Sequence, residues 1–268
     1  MLTHINGAAV LLSHCLYCTP DDTDLRGFLL ELFCYFYTLA ASTHGGRMSV
    51  DIPLASAIFE SPWLKGHRSQ GMLLGASPEL FLIILRLSAS LHQASTVECS
   101  METLHLHLSS IQSDLWQCFV DHVAIAHDES DSDTGRLASE LYFWACQVQV
   151  EMALRPDRPR EDEAIQAIVS TFMSVLDKIP TDSPANGVLC WPLFMVGLCA
   201  VSTKHQAAIS ARFKAIYSGW RSSIPLQTSK YLTQRWKEEK SRSAEPSAAN
   251  PTDAVTDLAL LDLPVILV

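Results

Sequence analysis

One stretch of the sequence decides the fold: Leu189-Cys190-Trp191-Pro192-Leu193-Phe194-Met195-Val196-Gly197-Leu198-Cys199-Ala200. No charged residue interrupts it, and proline is tolerated in a helix only within the first turn, so Trp191-Pro192 predicts the start of a buried helix. Gly197 lies inside that helix and has no Cβ, which predicts that a neighbouring backbone approaches it closely. The stretch therefore indicates an α-helical protein built around a buried helix.

Outside this stretch, apolar residues again recur every three or four positions, the period of one face of an α-helix. The pattern predicts helices over residues 134–154, 164–179 and 25–39, the first of them stopped by Arg155-Pro156. Ser77 as N-cap and Pro78 as first residue predict the start of another. The predicted fold class is all-α, an irregular multi-helix domain. The three stripes are Leu137, Leu141, Trp144, Val148 and Met152; Ala164, Ile168, Phe172, Val175 and Leu176; and Leu25, Leu29, Leu32, Phe36 and Leu39.

Composition divides the chain into three predicted parts. Residues 1–240 carry the helical pattern, with an acidic, serine-rich connection at residues 128–133 between their two halves. Residues 241–257 contain Ser, Ala, Pro and Asn with almost no large apolar side chain, which predicts a disordered linker. Residues 258–268 form an apolar tail, and we expect it either to dock on the main domain or to bind a partner.

Charge and hydropathy exclude several classes of protein. Apolar residues make up 48% and charged residues 18% of the chain, which is typical of a globular protein rather than a disordered one. The formal net charge of −10 disfavours DNA binding through a broad basic surface. No apolar run reaches the ~18 residues of a membrane span, and the N-terminal segment has no Lys or Arg before Arg26, unlike a signal peptide. We therefore expect a soluble, intracellular protein.

The cysteines are scattered through apolar segments, which indicates reduced, buried thiols rather than a disulfide framework. Cys15 and Cys18 form the one Cys-x-x-Cys pair, and a zinc site would need two further ligands from His4, His14 and Cys34. No second pair with matching spacing accompanies them, so we predict no metal ligand, no cofactor and no catalytic residue. The eight are Cys15, Cys18, Cys34, Cys99, Cys118, Cys146, Cys190 and Cys199.

Asp21-Asp22-Thr23-Asp24 resembles the aspartate-rich magnesium motif of terpene synthases, which are also all-α, but its third Asp stands one position early. A helix N-terminus is the favoured interpretation, because carboxylates there complement the helix dipole. An all-α, metal-dependent enzyme stays open as the alternative function. Three tryptophans that we expect to be buried could line a pocket, although such residues are more often plain core: Trp144, Trp191 and Trp220.

The segment over residues 230–242 mixes basic and aromatic side chains. A nucleic-acid site would use its Lys and Arg residues as phosphate contacts beside stacking rings. We favour an amphipathic helix whose Tyr231, Leu232 and Trp236 pack inward while the charged side chains face water. Glu238 and Glu239 dilute the positive charge of this segment.

Four motifs in order resemble the fungal-specific transcription factor domain, the regulatory region of the fungal zinc-cluster transcription factors. The first is the segment with His4, Gly7, Ala8 and a Leu pair, followed by a matching helix over residues 28–39; the second is Gly75 with the Ser-Pro-Glu-Leu that includes Glu79. The third is the helix over residues 140–154, and the fourth is the Trp-Pro block with the residues that follow it. The motif residues, all expected to be structural, are His4, Gly7, Ala8, Gly75, Glu79, Trp191, Pro192, Gly197, Arg212 and Trp236.

The resemblance extends over about residues 1–240 and implies a nuclear, non-catalytic transcriptional regulator, with a metabolic or secondary-metabolite gene cluster among its expected targets. It implies a protein partner, as a homodimer or a heterodimer with a related factor, and a small-molecule effector as a further expectation. The family's six-cysteine zinc cluster has no counterpart here, so we expect no direct DNA binding by this chain alone. A shortened relative or a gene model without its first exons would explain this, and missing helices would leave apolar surface uncovered around Ile5, Val10 and Leu11. A non-nuclear helical interaction module is the remaining alternative.

Overall fold

A computed structural model describes residues 7–8, 23–43, 52–61, 64, 78–96, 100–124 and 133–244. Every regular element within these ranges is helical, which confirms the predicted all-α class. A π-helical turn over Phe119–Ala124 extends the helix Met101–Cys118, and a 3-10 turn over Pro184–Val188 precedes the helix Cys190–Cys199. The α-helices are α1 (Thr23–Thr43), α2 (Ile52–Phe59), α3 (Pro78–Thr96), α4 (Met101–Cys118), α5 (Asp133–Leu154), α6 (Glu163–Leu176), α7 (Cys190–Cys199), α8 (Thr203–Trp220) and α9 (Ile224–Ala244).

Local chemistry explains where several helices begin and end. Ser100 caps α4 by accepting a hydrogen bond from the Thr103 N–H at 3.1 Å, and Asp162 caps α6 by accepting one from the Ala164 N–H at 3.0 Å. α8 ends where Arg221 adopts a left-handed conformation with φ 58°, which turns the chain into α9 after three residues. Short polar side chains and one positive φ therefore set the helix boundaries.

Three helix predictions agree closely with the structure. The helix predicted over residues 134–154 is α5, the one predicted over residues 164–179 is α6 with an earlier end, and α3 begins at Pro78 as predicted. Residues 128–132 of the predicted connection and residues 245–268 lie outside the described residues. α9 continues to Ala244, so the first four residues of the predicted linker are helical; the rest of the linker and the apolar tail stay predictions.

The stripe predicted for α1 is wrong in part. Leu29 is 46% exposed, whereas Leu30, Cys34 and Tyr37 are buried at the same helical spacing. Cys and Tyr pack inward as readily as Leu when their polar atoms are accommodated. α1 packs against both α2 and α3, so more than one apolar stripe of this helix could face the core. The spacing of the leucines alone does not identify the stripe that does.

α5 is the central helix of the fold. It contacts α3 and α4, which precede it, and α6 and α7, which follow it, and one continuous core of buried residues runs through all of them. α8 and α9 pack against each other and against α7, so they form the outer layer on the C-terminal side. This arrangement places α7 between α5 and the α8–α9 pair, and that position explains why α7 is the buried helix.

Candidate functional site

Trp191 joins three helices inside the core. Its indole stacks on the ring of Tyr142 of α5, with centroids 5.5 Å apart and planes at 10°, and its Nε1–H donates to Ser42 Oγ of α1 at 2.8 Å. The Tyr142 hydroxyl donates to the Val188 carbonyl at 2.6 Å. Burial raises the pKa of Tyr142 well above its usual value. The Trp191 side chain is thus fully used in packing and hydrogen bonding.

Pro192 and Gly197 lie on the same helix, and both are buried. Pro192 lies in the first turn of α7, as predicted. A Cβ on Gly197 would lie 2.6 Å from Leu232 Cδ1, so the close neighbour is a side chain of α9 and the predicted neighbouring backbone is wrong. The Trp236 Nε1–H donates to the Gly197 carbonyl at 2.8 Å. Trp236 and Gly197 therefore form one contact between α9 and α7.

Arg212 holds the end of α6 against α8. Its guanidinium donates to the carbonyls of Leu176 and Ile179, each at 2.9 Å, and to Asn186 Oδ1 at 3.0 Å. Burial lowers the pKa of the Arg212 guanidinium, and Asp177 opposes this shift. An arginine stays charged even so, because its usual pKa lies above 12. It adds a second donor to the Leu176 carbonyl, which also accepts from the Ile179 N–H at 3.1 Å, and it binds the Ile179 carbonyl just beyond the end of α6.

The other motif residues do not join this group. Glu79 lies in the first turn of α3, where a carboxylate complements the helix dipole. Gly7 and Ala8 are helical, and nothing lies within 4 Å of a Cβ built on Gly7. His4 and Gly75 lie outside the described residues. The structure thus brings Trp191, Pro192, Gly197 and Trp236 together around α7 and leaves Arg212 and Glu79 apart from them.

Several residues of this core escaped sequence analysis. Ser42 accepts a hydrogen bond from Trp191, and Asn186 accepts one from Arg212. Tyr142, on which Trp191 stacks, donates one to the Val188 carbonyl. The bonded residues lie 26 to 149 positions apart in the sequence. Gln166 is another, since its Nε2 donates to the carbonyls of Arg160 and Cys199. No spacing rule connects residues so far apart, and no local signal singles them out.

The described cysteines are buried thiols outside any disulfide, as predicted. Burial raises the pKa of Cys190 and of Cys199 to about 12, and it raises the pKa of Cys34 and Cys146 as well. A thiol nucleophile needs a lowered pKa and access to solvent, so these thiols are unsuited to catalysis. The five are Cys34, Cys118, Cys146, Cys190 and Cys199.

The proposed metal motifs fall largely outside the described residues. Among the residues described, no three His, Cys, Asp or Glu side chains meet in a way that could hold a metal ion. Cys15, Cys18, Asp21 and Asp22 lie outside, and for Asp24 only the backbone is described, within α1. The interpretation of these aspartates as a helix N-terminus stays a prediction. Of the described helices, none is long and apolar enough to cross a membrane.

The three tryptophans do not line a common pocket. Trp220 is 58% exposed, which contradicts its predicted burial, and its ring lies over Gly187 at the surface. It ends α8 beside the turn into α9, where the core no longer covers the ring. Trp144 is half-buried and Trp191 alone is fully buried.

An aromatic cluster reaches the surface where α4 meets α5. Trp116 is 41% exposed and packs edge-on against Phe143 with centroids 5.0 Å apart, while Phe119 stacks on Phe143 at 4.2 Å. Trp144 completes the cluster at 4.9 Å from Phe143, and exposed Val120 follows in the π-helical turn. We call Trp116, Phe119, Phe143 and Trp144 the aromatic edge. Exposed aromatic rings held by a rigid base are typical of protein-contact sites.

A cleft of about 370 Å³ opens where α8 begins and α9 ends. Its floor contains Ala200, Val201 and Trp236 and its rim is charged. On the rim, Glu239 accepts hydrogen bonds from both Arg160 and Arg235. We call this the α8–α9 cleft; its lining residues are Arg160, Glu161, Ala200, Val201, Gln206, Trp236, Glu239 and Lys240.

Residues 230–242 lie in α9, and the favoured interpretation of them agrees with the structure. Leu232 and Trp236 are buried, and Tyr231 is half-buried with its ring 5.9 Å from that of Phe194. The exposed side chains of this helix include Lys230 and Lys237.

The family model described as the fungal specific transcription factor domain matches residues 1–243. No curated protein and no solved structure matches the chain.

Proposed function

We propose, because this chain belongs to the fungal-specific transcription factor domain family, that it regulates transcription in the nucleus through its helical domain. The observation that carries this proposal is the family match over 243 of the 268 residues. The family is not typically enzymatic. The described motif residues also support a structural role, since Trp191, Arg212 and Trp236 are each engaged in packing or hydrogen bonds within the core.

The proposed mode of action is contact with another protein. The aromatic edge supports it, because Trp116 and Val120 expose apolar surface over a base fixed by three further rings. The partner would be a second copy of the chain or a related factor that carries its own DNA-binding module. The net charge of −10 disfavours direct DNA binding by this chain alone.

The proposed targets are the genes of a metabolic or secondary-metabolite cluster, as the family membership suggests. A small-molecule effector that modulates the partner contact is part of the same proposal. Transcript profiles of a strain lacking the gene test the first point: coordinate loss of one cluster's transcripts supports it, and an unchanged profile contradicts it.

A reporter assay tests the function itself. The full chain is fused to a heterologous DNA-binding module and expressed with a reporter gene that carries the matching sites. We expect the fusion to change reporter output, and the double variant Trp116→Ser/Val120→Ser to reduce that change at least several-fold. Met101→Ser is the matched control, since Met101 is more exposed than Trp116 and lies at the far end of α4, about 20 Å away.

Two results of this assay would contradict the proposal. Reporter output equal to that of the DNA-binding module alone would argue against regulation, provided that the fusion accumulates. An equal loss in the Met101→Ser control would argue against the aromatic edge as the contact surface. Imaging of a fluorescent fusion tests location, and exclusion from the nucleus would favour a non-nuclear interaction module.

A further inference from the structure

Exposed apolar side chains are concentrated on one helix. Among the residues that the structure describes, eight large apolar side chains are exposed, and four of them belong to α4 or to the π-helical turn that extends it. The four are Met101, Leu106, Trp116 and Val120, with Leu106 63% exposed and Val120 47% exposed. Single exposed apolar residues are ordinary on a protein surface, whereas several on one helix mark a site of contact.

Three of these side chains follow one line along the helix. Leu106, Trp116 and Val120 belong, with Ser109 and Ser113, to a series that advances by three and four residues in turn. A mean spacing of 3.5 residues keeps successive side chains on one side of a helix, as in the contact line of a coiled coil. We call these five residues the α4 seam. All five are exposed, and none is charged.

The polar side chains on either side of the α4 seam are paired within the molecule. Toward α5, Gln112 Nε2 donates to Glu151 Oε1 at 3.0 Å. Toward α3, the Arg86 guanidinium donates to Asp114 Oδ2 at 2.7 Å. These two contacts hold the flanks of α4 against its neighbours, so the seam faces away from both of them.

The α4 seam is complementary to itself. Its two serines lie in the middle, with Leu106 on one side of them and Trp116 and Val120 on the other. When two copies pack these helices antiparallel, the serines meet at the centre, and Leu106 of each copy enters the space between Trp116 and Val120 of the other. A two-fold axis forms both contacts at once, as an isologous dimer requires. Serine is small, so the two helices can approach closely at the centre.

We propose that two copies of the chain pair antiparallel along the α4 seam. The absence of charge from the seam favours this occupant, because no like charges meet there although each chain has a formal net charge of −10. An uncharged surface fits neither the phosphates of a nucleic acid nor a highly charged peptide. The inference names the partner of the proposed contact surface and rests on that proposed function, since both use Trp116 and Val120.

The size of the contact sets its expected strength. Residues 106–120 extend over about 21 Å of helix, so the pair lies at the lower end of interface sizes, near about 1,200 Å² in total. We therefore expect a dissociation constant on the order of micromolar. Both chains are acidic, so added salt should lower the dissociation constant by screening the repulsion between them.

Sedimentation velocity of the full chain at increasing concentration tests the pairing. We expect a reversible monomer–dimer equilibrium, and we expect Leu106→Lys and Val120→Glu each to raise the dissociation constant by about tenfold or more. An equimolar mixture of the two variants should associate to within about threefold of the unmodified chain. In that mixed dimer one contact keeps Leu106 against Val120, and the other brings the new ammonium group against the new carboxylate. A parallel pair would not bring these two positions together.

Met101→Lys is the matched control for the charged variants. Met101 is 67% exposed but lies about 140° around α4 from Leu106, outside the seam, so its substitution should leave the dissociation constant unchanged. Circular dichroism reports whether each variant keeps its helices. Leu106→Ser and Val120→Ser, which add no charge, replace any charged variant that loses helical signal.

Three results would overturn the pairing. They are an unmodified chain that stays monomeric up to about 100 µM, a dimer that persists in both single variants, and a mixture that associates no better than either variant alone. The reporter assay is read separately. A monomeric chain whose fusion still depends on Trp116 and Val120 would retain the proposed regulation with a different protein as partner. A dimer whose fusion leaves reporter output unchanged would retain the pairing and contradict the regulation.

Discussion

α7 and α4 both pack against α5, yet they treat their apolar residues in opposite ways. Every residue of α7 is buried between α5 and the α8–α9 pair. α4 buries one stripe and exposes Met101, Leu106 and Trp116 on its other side. The difference teaches that hydrophobicity alone does not assign a role, because position in the layers decides whether an apolar residue is buried in the core or exposed to solvent.

Trp191 is the largest side chain of the α7 core, and its removal should have the largest effect. Trp191→Ala removes the stack on Tyr142 and leaves Ser42 without its indole donor, so we expect a loss of about 3–5 kcal/mol in the free energy of unfolding. Urea denaturation followed by circular dichroism measures this. Trp191→Phe keeps an aromatic ring but has no hydrogen-bond donor. Its free energy of unfolding should therefore lie between that of Trp191→Ala and that of the unmodified chain. An unchanged urea midpoint for Trp191→Ala would refute the description of α7 as the centre of the core.

Arg212 is a buried charged residue whose hydrogen bonds should also stabilise the fold. Arg212→Met removes the guanidinium donors to the Leu176 and Ile179 carbonyls and to Asn186 Oδ1, and we expect it to destabilise the fold by about 3 kcal/mol. Arg212→Lys retains the positive charge, so its loss of unfolding free energy should be smaller than that of Arg212→Met. Some loss should remain, because an ammonium group cannot reach all the separate acceptors. Equal stability of Arg212→Met and the unmodified chain in urea would mean that water replaces these hydrogen bonds at no cost.

The two thiols of α7 make stability depend on pH. Burial raises the pKa of Cys190 and Cys199 to about 12 from an ordinary value of 9.0, so their contribution is complete below pH 9 and is lost as the pH rises towards 12. We expect a loss of about 1 kcal/mol for each thiol between pH 9 and pH 10, where ionised thiolates favour the unfolded chain. Urea midpoints at pH 8 and pH 10 measure it. A Cys190→Ala/Cys199→Ala variant should show a smaller decrease, and an identical decrease would assign the effect to other groups.

Gly197 and Gly187 each lie close to a large side chain, which is buried beside Gly197 and exposed beside Gly187. A Cβ on Gly197 would meet Leu232 at 2.6 Å, and a Cβ on Gly187 would meet Trp220 at 2.5 Å. Leu232 is fully buried and cannot move freely, whereas the exposed Trp220 ring can swing into solvent. We therefore expect Gly197→Ala to cost about 1–3 kcal/mol and Gly187→Ala less than about 1 kcal/mol in unfolding free energy. Thermal or urea unfolding of the pair decides the matter, and equal losses would show that Leu232 adjusts as easily as Trp220.

α7 was predictable because its whole signal is local: a continuous apolar run with a proline at its head. The same holds for α5 and α6, whose stripes end close to a proline. The partners of Arg212 were not predictable, because Leu176, Ile179 and Asn186 lie 26 to 36 positions away and meet it only after α6 and α8 have packed. Exposure of Trp220 likewise depends on how the layers end, which no local pattern records. The motif residues could be placed on helices from the sequence, but their contacts are a product of the tertiary fold.

Trp116 gives the smallest expected effect on stability and the sharpest contrast with Trp191. Its ring contacts Phe119, Phe143 and Trp144 on one side and water on the other, so Trp116→Ser should cost about 1 kcal/mol in unfolding free energy. Urea denaturation beside Trp191→Ala measures the ratio of the two losses, which we expect to be three or more. The exposed side of the Trp116 ring contributes little to the isolated fold, and it is this side that the proposed partner would contact. A loss as large as that of Trp191→Ala would mean that the aromatic edge is core and would remove it as the proposed contact surface.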